Sequence, residues 1–367
     1  MLYKLTCSSS DAFSVLLPFE RRGFTVVSLI AKDNEAIIEL YAGEAAAEQA
    51  AAVILASLQR TYAATMTIET TLADAVTIIL TTSPAPIHPS TEILDNVLAS
   101  LAHHSPALKR CRLIVTCDGC NDVQPGQKVK YRSGIVDAAS RTNYGEYVEA
   151  LRASAANGGR GGFAIELLAL PQRHGFGGAV RAALPRVTTP LVLVVQHDRT
   201  LLRAVDVGEL ASHLMQSDGA VGYALLPVSK HVEYAHQMRT WLGERKVRGA
   251  DADITRHARA LPTAGRRLLP CLAWHDSTHL ASVDYYRQMF ASERGVLGFI
   301  ESALGPRQSA DAVELGVEKF LARWRTYVLD DESVHAPMVG HLDGSTVRPN
   351  QEELQERGWK DRAWRAE

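Results

Sequence analysis

The run Pro190 to Thr200 (Pro-Leu-Val-Leu-Val-Val-Gln-His-Asp-Arg-Thr) joins a short apolar stretch to Gln196, His197 and Asp198. Imidazole nitrogen and carboxylate oxygen both suit a divalent cation, and Asp198 alone can bridge a cation to a diphosphate. A strand that simply surfaces and ends in polar residues is the plain alternative, with equal weight on these residues alone. Three further places carry polar groups at the ends of apolar runs. They are Thr82 and Ser83 after Val76–Leu80, Asp118-Gly119 after Cys111–Cys117, and the Gly-rich loop His174-Gly-Phe-Gly-Gly178 after Ala164–Leu170. Backbone N–H groups of such a loop, with Arg181 one turn into the following helix, suit a phosphate. The glycines equally suit close helix–sheet packing, and the loop is neither GxGxxG nor GxxxxGK[ST].

The elements that must position these groups alternate. Val76–Leu80, Cys111–Cys117, Ala164–Leu170 and Leu191–Val195 read as short strands rich in apolar residues, the last of them continuously apolar and suited to burial on both faces of a sheet. Helices are expected at about 90–103 (with Ser90 or Thr91 as N-cap), 144–154 and 175–184, and residues 121–142 read as a loop. The pattern predicts an α/β domain with a mostly parallel central sheet flanked by helices, all four polar strand ends sharing one edge. Beyond it, helices are expected at 206–217, 283–292 and 312–324, with a strand at 220–226 and mixed strand and turn at 269–279. Ahead of it, Phe24–Ile30 and Ala36–Tyr41 resemble a hairpin followed by an alanine-rich helix at 43–62, a small β-β-α appendage. The expected organisation is therefore 1–72 as appendage, 73–348 as the main domain (73–203 nucleotide-binding half, 204–348 acceptor half) and 349–367 as a charged surface tail.

Composition narrows the function classes. The 367 residues are 46% hydrophobic and 22% charged, with 39 basic and 41 acidic side chains and a formal charge of −2, so no overall field draws the chain to nucleic acid. No apolar run approaches the roughly 18–20 residues of a membrane span, and the N-terminus lacks a signal-like start. Five scattered cysteines favour reduced thiols in a cytoplasmic setting; a soluble domain of a larger secretory-pathway protein also stays open. Cys117-Asp-Gly-Cys120 admits a redox or a metal reading, without a second pair at zinc spacing.

Taken in order, these strand ends resemble the family 2-type glycosyltransferases of the GT-A, Rossmann-like fold. Val97-Leu-Ala-Ser-Leu101 matches the family's helical LxSL pattern, Asp118-Gly119 its second strand end, and Gln196-His-Asp198 its Asp-containing metal motif. Gln196 stands where the family has a first Asp. Phe299-Ile-Glu301 lines up with the family's xED site, where Ser302 replaces the second carboxylate, and Val339-Gly-His341-Leu-Asp-Gly344 with its C-terminal His, for which His335 competes. The resemblance covers roughly residues 75–345 and implies inverting transfer from a nucleoside-diphosphate sugar, UDP being the commonest carrier, to a hydroxyl of a carbohydrate acceptor.

Under that resemblance Thr82, Ser83, Asp118, Gly119, His174, Arg181 and Gln196 would hold the nucleotide. Asp198, His197 and His341 would hold Mn²⁺ or Mg²⁺, Glu301 or Asp276 would act as base, and Trp274 and His279 would face the acceptor. A packed Trp in a capped turn, a surface Glu and a lone loop His are the plain readings of those last groups. A nucleotidyltransferase and a non-catalytic sugar-nucleotide binder remain as alternatives. Donor sugar, acceptor and oligomeric state are not legible in the chain.

Overall fold

The computed structural model describes residues 2–8, 25–32, 35–41, 65–68, 72–247, 253–292, 298–332, 334 and 336–342. The chain divides into two compact units, Met1–Asp74 and Ala75–Glu367. In the first, β1 (Leu2–Ser8), β2 (Thr25–Lys32), β3 (Glu35–Tyr41) and β4 (Thr65–Ile68) form an antiparallel sheet in the order β2-β3-β1-β4. The expected hairpin is there as β2 and β3. Two strands were not expected, although Tyr3, Leu5 and Cys7 alternate with Lys4 and Thr6 at strand period. The expected helix at 43–62, His335 and the tail at 349–367 lie outside the described residues.

The second unit is an α/β structure with a large central sheet flanked by helices. In chain order it contains β5 (Val76–Thr82), α1 (Glu92–His104), β6 (Leu113–Cys117), β7 (Asn121–Asp122), β8 (Ile135–Val136), α2 (Ala138–Ala156), β9 (Ile165–Ala169), α3 (Gly175–Ala183) and β10 (Leu191–Gln196). It continues with α4 (Val207–Gln216), β11 (Tyr223–Leu225), α5 (Tyr234–Glu244), β12 (Arg259–Ala260), β13 (Arg266–Pro270), β14 (His279–Ser282), α6 (Val283–Ser292), α7 (Ile300–Leu315), α8 (Val317–Trp324) and β15 (Thr326–Asp331). The sheet order is β12-β13-β15-β11-β14-β10-β5-β6-β9. Strands β10, β5, β6 and β9 pair in parallel, as their apolar runs dictate, and β5 and β6 are buried along their whole length. The half beyond β10 is mixed: β14 runs antiparallel to both β10 and β11, β11 and β15 are parallel, and β13 returns antiparallel to β15. The sheet, expected to be mostly parallel, is parallel from β10 to β9 and mixed beyond β10.

This order sets the site. Strand β5 has β6 on one side and β10 on the other, so the chain reverses its direction of growth across the sheet between β5 and β10. A crevice opens at the carboxyl ends of the strands flanking such a switch. The segment read as a loop at 121–142 contains the two-stranded parallel pair β7–β8, with a 3-10 turn at Tyr131–Ser133 between them. Helix α2 starts six residues earlier than expected because the Asp137 side chain caps it, accepting from Ser140 N at 2.8 Å. The helix expected at 312–324 is two helices broken at Gly316 (φ +76°), and α7 begins at Ile300, placing Glu301 in its first turn. No described helix is long and apolar enough to cross a membrane.

Candidate active site

A cleft of about 440 Å³ opens at the switch point. Of the site residues expected from sequence, Thr82, Ser83, Asp118, Gln196, His197, Asp198, Asp276, Glu301 and His341 all line it. Residues as distant in the chain as Thr82 and His341 thus converge on one edge of the sheet. Three corners can be distinguished.

At the first corner, Asp198 and His341 meet: His341 Nε2 lies 3.2 Å from Asp198 Oδ2, and Arg199 Nε lies 3.9 Å from Oδ1. Burial alone would raise the Asp198 carboxyl, but the hydrogen bond to His341 and the Arg199 guanidinium outweigh it and hold the group at about 2. Its Oδ1 is buried without a hydrogen-bond partner. His197, expected beside Asp198 as a second cation ligand, is engaged elsewhere. Its Nδ1 accepts from the Ser83 N–H at 3.3 Å and lies 2.8 Å from Thr82 Oγ1, which in turn touches Tyr147 OH at 3.1 Å. Accepting at Nδ1 leaves the proton on Nε2, and burial, which outweighs the opposing pull of the Asp198 carboxylate, pushes the ring towards its neutral form. His197 therefore ties the ends of β5 and β10 together. Among the described residues no group of three His, Cys, Asp or Glu side chains converges to hold a metal. The Asp198–His341 pair fits an ion that takes its remaining ligands from phosphate and water.

The second corner is built on Asp118, which is 2% exposed. Its Oδ1 accepts from His174 N at 2.7 Å, and its Oδ2 accepts from Gly175 N at 2.8 Å and from Arg173. The carboxylate expected to hold a nucleoside thus caps α3 and neutralises Arg173, with about one of its four acceptor positions left. Arg173 goes on to donate to the carbonyls of Ser133 (3.1 Å) and Arg132 (3.3 Å), fixing the turn that carries Tyr131 and Arg132 over the cleft. The Arg132 guanidinium sits 5.0 Å from the centre of the Phe299 ring. Gly119 is absent from the cleft wall: a Cβ there would come within 2.3 Å of the Gln172 backbone, so glycine permits the ends of β6 and β9 to meet. His174 contributes its backbone N–H while its ring contacts Gln172 O at 2.6 Å. Arg181 is exposed and lines a separate apolar cleft with Phe290, so it does not serve this site.

The third corner holds Asp276 and Glu301. The Asp276 backbone N–H donates to Glu301 Oε2 at 3.2 Å, and Trp274 Nε1 donates to Asp276 Oδ1 at 3.0 Å. The other oxygen, Oδ2, is buried and unpartnered. Burial, reinforced by the negative charge of Glu301, pushes Asp276 up to about 7 against the hydrogen bonds it receives. Glu301 has the opposite environment. His275 Nδ1, 3.5 Å from Oε1, and Lys230 Nζ, 3.2 Å from the same oxygen, hold it down to about 2 despite partial burial.

Two acceptor expectations fail here. Trp274 is fully buried, packed 4.5 Å from the Tyr223 ring and near-parallel to Tyr285, so it presents no face to a sugar. His279 is also fully buried, bonded to Ser277 O at 2.6 Å and to Tyr286 OH, and burial pushes it down to about 4. The Cys117–Cys120 pair supports no redox role. Both are free thiols, and burial pushes Cys117 up to about 12, opposite to the shift a reactive thiolate needs. Sequence reasoning missed Tyr131, Arg132 and Arg199, all of which line the cleft. Adjacency to Asp198 was a signal for Arg199; the other two sit in a turn without periodicity.

No protein-family model matches the chain, and no curated protein does. Solved structures similar to it include a Pyrobaculum calidifontis mannosyltransferase in complex with GDP-Man and Mn²⁺, at 11% identity and TM-score 0.32 over 59% of this chain. This chain spans 46% of that enzyme's length. A CMP:2-keto-3-deoxy-manno-octonic acid synthetase complexed with CTP is similar at 14% identity and TM-score 0.37, over 77% of this chain and 99% of that one. The Mycobacterium tuberculosis glucosyl-3-phosphoglycerate synthase, in complex with Mn²⁺, UDP and phosphoglyceric acid, is similar at 12% identity and TM-score 0.34, over 78% and 76%. At these scores the likenesses assign neither family nor activity to the chain.

Proposed function

We propose that this cleft transfers a glycosyl group from a nucleoside-diphosphate sugar to a hydroxyl acceptor with inversion at the anomeric carbon. The observation that carries the reading is Asp276 Oδ2, a buried and unpartnered carboxylate oxygen in a cleft that also contains the Asp198–His341 corner. A carboxylate at about 7 is half deprotonated near neutral pH and basic enough to take a hydroxyl proton, and positioned bases contribute roughly 10²- to 10⁴-fold. Asp276 Oδ2 accepts the proton as the acceptor oxygen bonds to the anomeric carbon. The bond from that carbon to the diphosphate oxygen breaks, and the diphosphate leaves with the electron pair.

Asp198 and His341 would hold Mn²⁺ or Mg²⁺ together with the diphosphate; a bound divalent ion offsets charge on that leaving group. Arg199, beside Asp198, adds a cation at the same corner. Asp118 and Arg173 shape the nucleoside side by fixing the Tyr131–Ser133 turn, and Glu301 holds the Asp276 amide. This assignment inverts the order expected from sequence, where Glu301 came first as base: its hydrogen bond with His275 and its pairing with Lys230 leave it too weak a base at about 2.

The test is turnover of a donor panel of UDP-, GDP- and dTDP-sugars with Mn²⁺ or Mg²⁺. Release of nucleoside diphosphate supports transfer. Pyrophosphate release from a nucleoside triphosphate and a sugar phosphate would replace it with a nucleotidyltransferase reading. Nucleotide binding without turnover of either kind would replace it with a sugar-nucleotide binder.

A further inference from the structure

Gln196 occupies the last position of β10 and lines the cleft, where the nucleotide was its expected partner. Its amide points elsewhere. The antiparallel ladder between β10 and β14 ends at Val194–His279. Two residues further along β10, the backbone of the 276–277 segment has left the ladder, and the Gln196 Nε2–H donates to the carbonyl of Asp276. The side chain thus supplies the cross-strand hydrogen bond that the backbone no longer makes. Asp276 is then held at its amide by Glu301, at its carbonyl by Gln196 and at Oδ1 by Trp274, which leaves Oδ2 alone for chemistry.

Resting on the reading of Asp276 as the base, we propose that Gln196 is a positioning residue that fixes the backbone of Asp276, and that this role requires an amide at position 196. A carboxylate there has no hydrogen to donate and would set a negative charge against a carbonyl oxygen. An Asp would also be one methylene shorter. Ser302 removes a carboxylate from the α7 terminus, and the carboxylate poised in this cleft comes instead from the loop before β14. Gln196 is the tether that loop position needs.

The test compares wild type with Gln196→Leu, Asp276→Asn and the double variant, each checked for an unchanged melting profile. Loss of the tether is expected to lower kcat by about 10- to 100-fold, the scale of a misplacement near 1 Å, while nucleoside-diphosphate affinity stays within about twofold. Because Gln196 acts through Asp276, the double variant is expected to be no slower than Asp276→Asn. Amide hydrogen exchange across 275–278 is expected to accelerate in Gln196→Leu, and this measurement needs no turnover. If wild type turns over no nucleotide sugar, the transferase reading falls while exchange still judges the tether. The inference is overturned if exchange at 275–278 is unchanged, if the two substitutions multiply, or if Gln196→Leu weakens nucleotide binding and leaves kcat intact.

Discussion

The Asp198 corner and the Asp276 corner start from the same functional group and end with opposite properties. Both aspartates are largely buried, and burial pushes both upward. Asp198 has an imidazole 3.2 Å away and a guanidinium beside it, and is held at about 2. Asp276 receives one indole N–H and donates its own backbone N–H to Glu301, a neighbour that is itself an anion, and rises to about 7. The lesson is that burial alone does not assign a role; the sign of the nearest charge does. A carboxylate paired with cations stays charged and suits an ion or a diphosphate leaving group. One paired with an anion keeps a proton within reach of neutral pH and suits proton transfer.

The contrast can be broken most sharply at Asp276. Asp276→Asn is expected to lower transfer about 10²- to 10⁴-fold in single-turnover assays while nucleotide affinity is retained. Asp198→Ala is expected to act on the other quantity: Mn²⁺-dependent binding of nucleoside diphosphate, followed by calorimetry, should weaken by about 10- to 100-fold. A smaller effect on binding than on chemistry would merge the two corners into one.

The pH dependence separates them further. Transfer should be lost as pH falls through about 7, because Asp276 gains its proton there. Stability moves the other way for this group: its folded value lies above the ordinary carboxyl value of 3.8, so the folded state binds the extra proton and Asp276 costs stability as pH rises from about 4 to about 7. Asp198 and Glu301, both lowered to about 2, contribute stability that is lost as pH falls from about 4 towards 2. Glu301→Gln removes the charge that raises Asp276, so the acid limb of kcat is expected to move to lower pH by a fraction of a unit. Lys230→Met, which breaks a largely exposed ion pair, should change stability by less than about 1 kcal/mol in denaturant titration.

Strands β5, β6 and β10 were legible because both of their faces are buried, so their sequences are predominantly apolar and carry no charge. The start of α7 was not. Gly305-Pro306 reads as a breaker, yet the helix runs on through Pro306, which lies inside it. Strand β15 ends in Asp330-Asp331, which pair with Arg267 and Arg203, and its acidic end hid a strand whose first residues are fully buried. In the site, polar residues at strand ends were found because topology forces them onto one edge. Trp274 and His279 misled because residue type does not reveal which way a ring points. The Gly-rich loop correctly marked a close approach, but the group it approaches is the side chain of Asp118 rather than a phosphate.

The Asp118 carboxylate is a single counter-ion shared by parts of the chain with separate origins: the end of β6, the first turn of α3 and, through Arg173, the Tyr131–Ser133 turn. Segments that share one ion cannot open independently. Releasing the turn would strand a guanidinium beside a buried anion, and releasing α3 would strand that anion beside unpaired amides. The Asp118 side of the cleft is thereby made into one cooperative unit, which opens as a whole or stays closed.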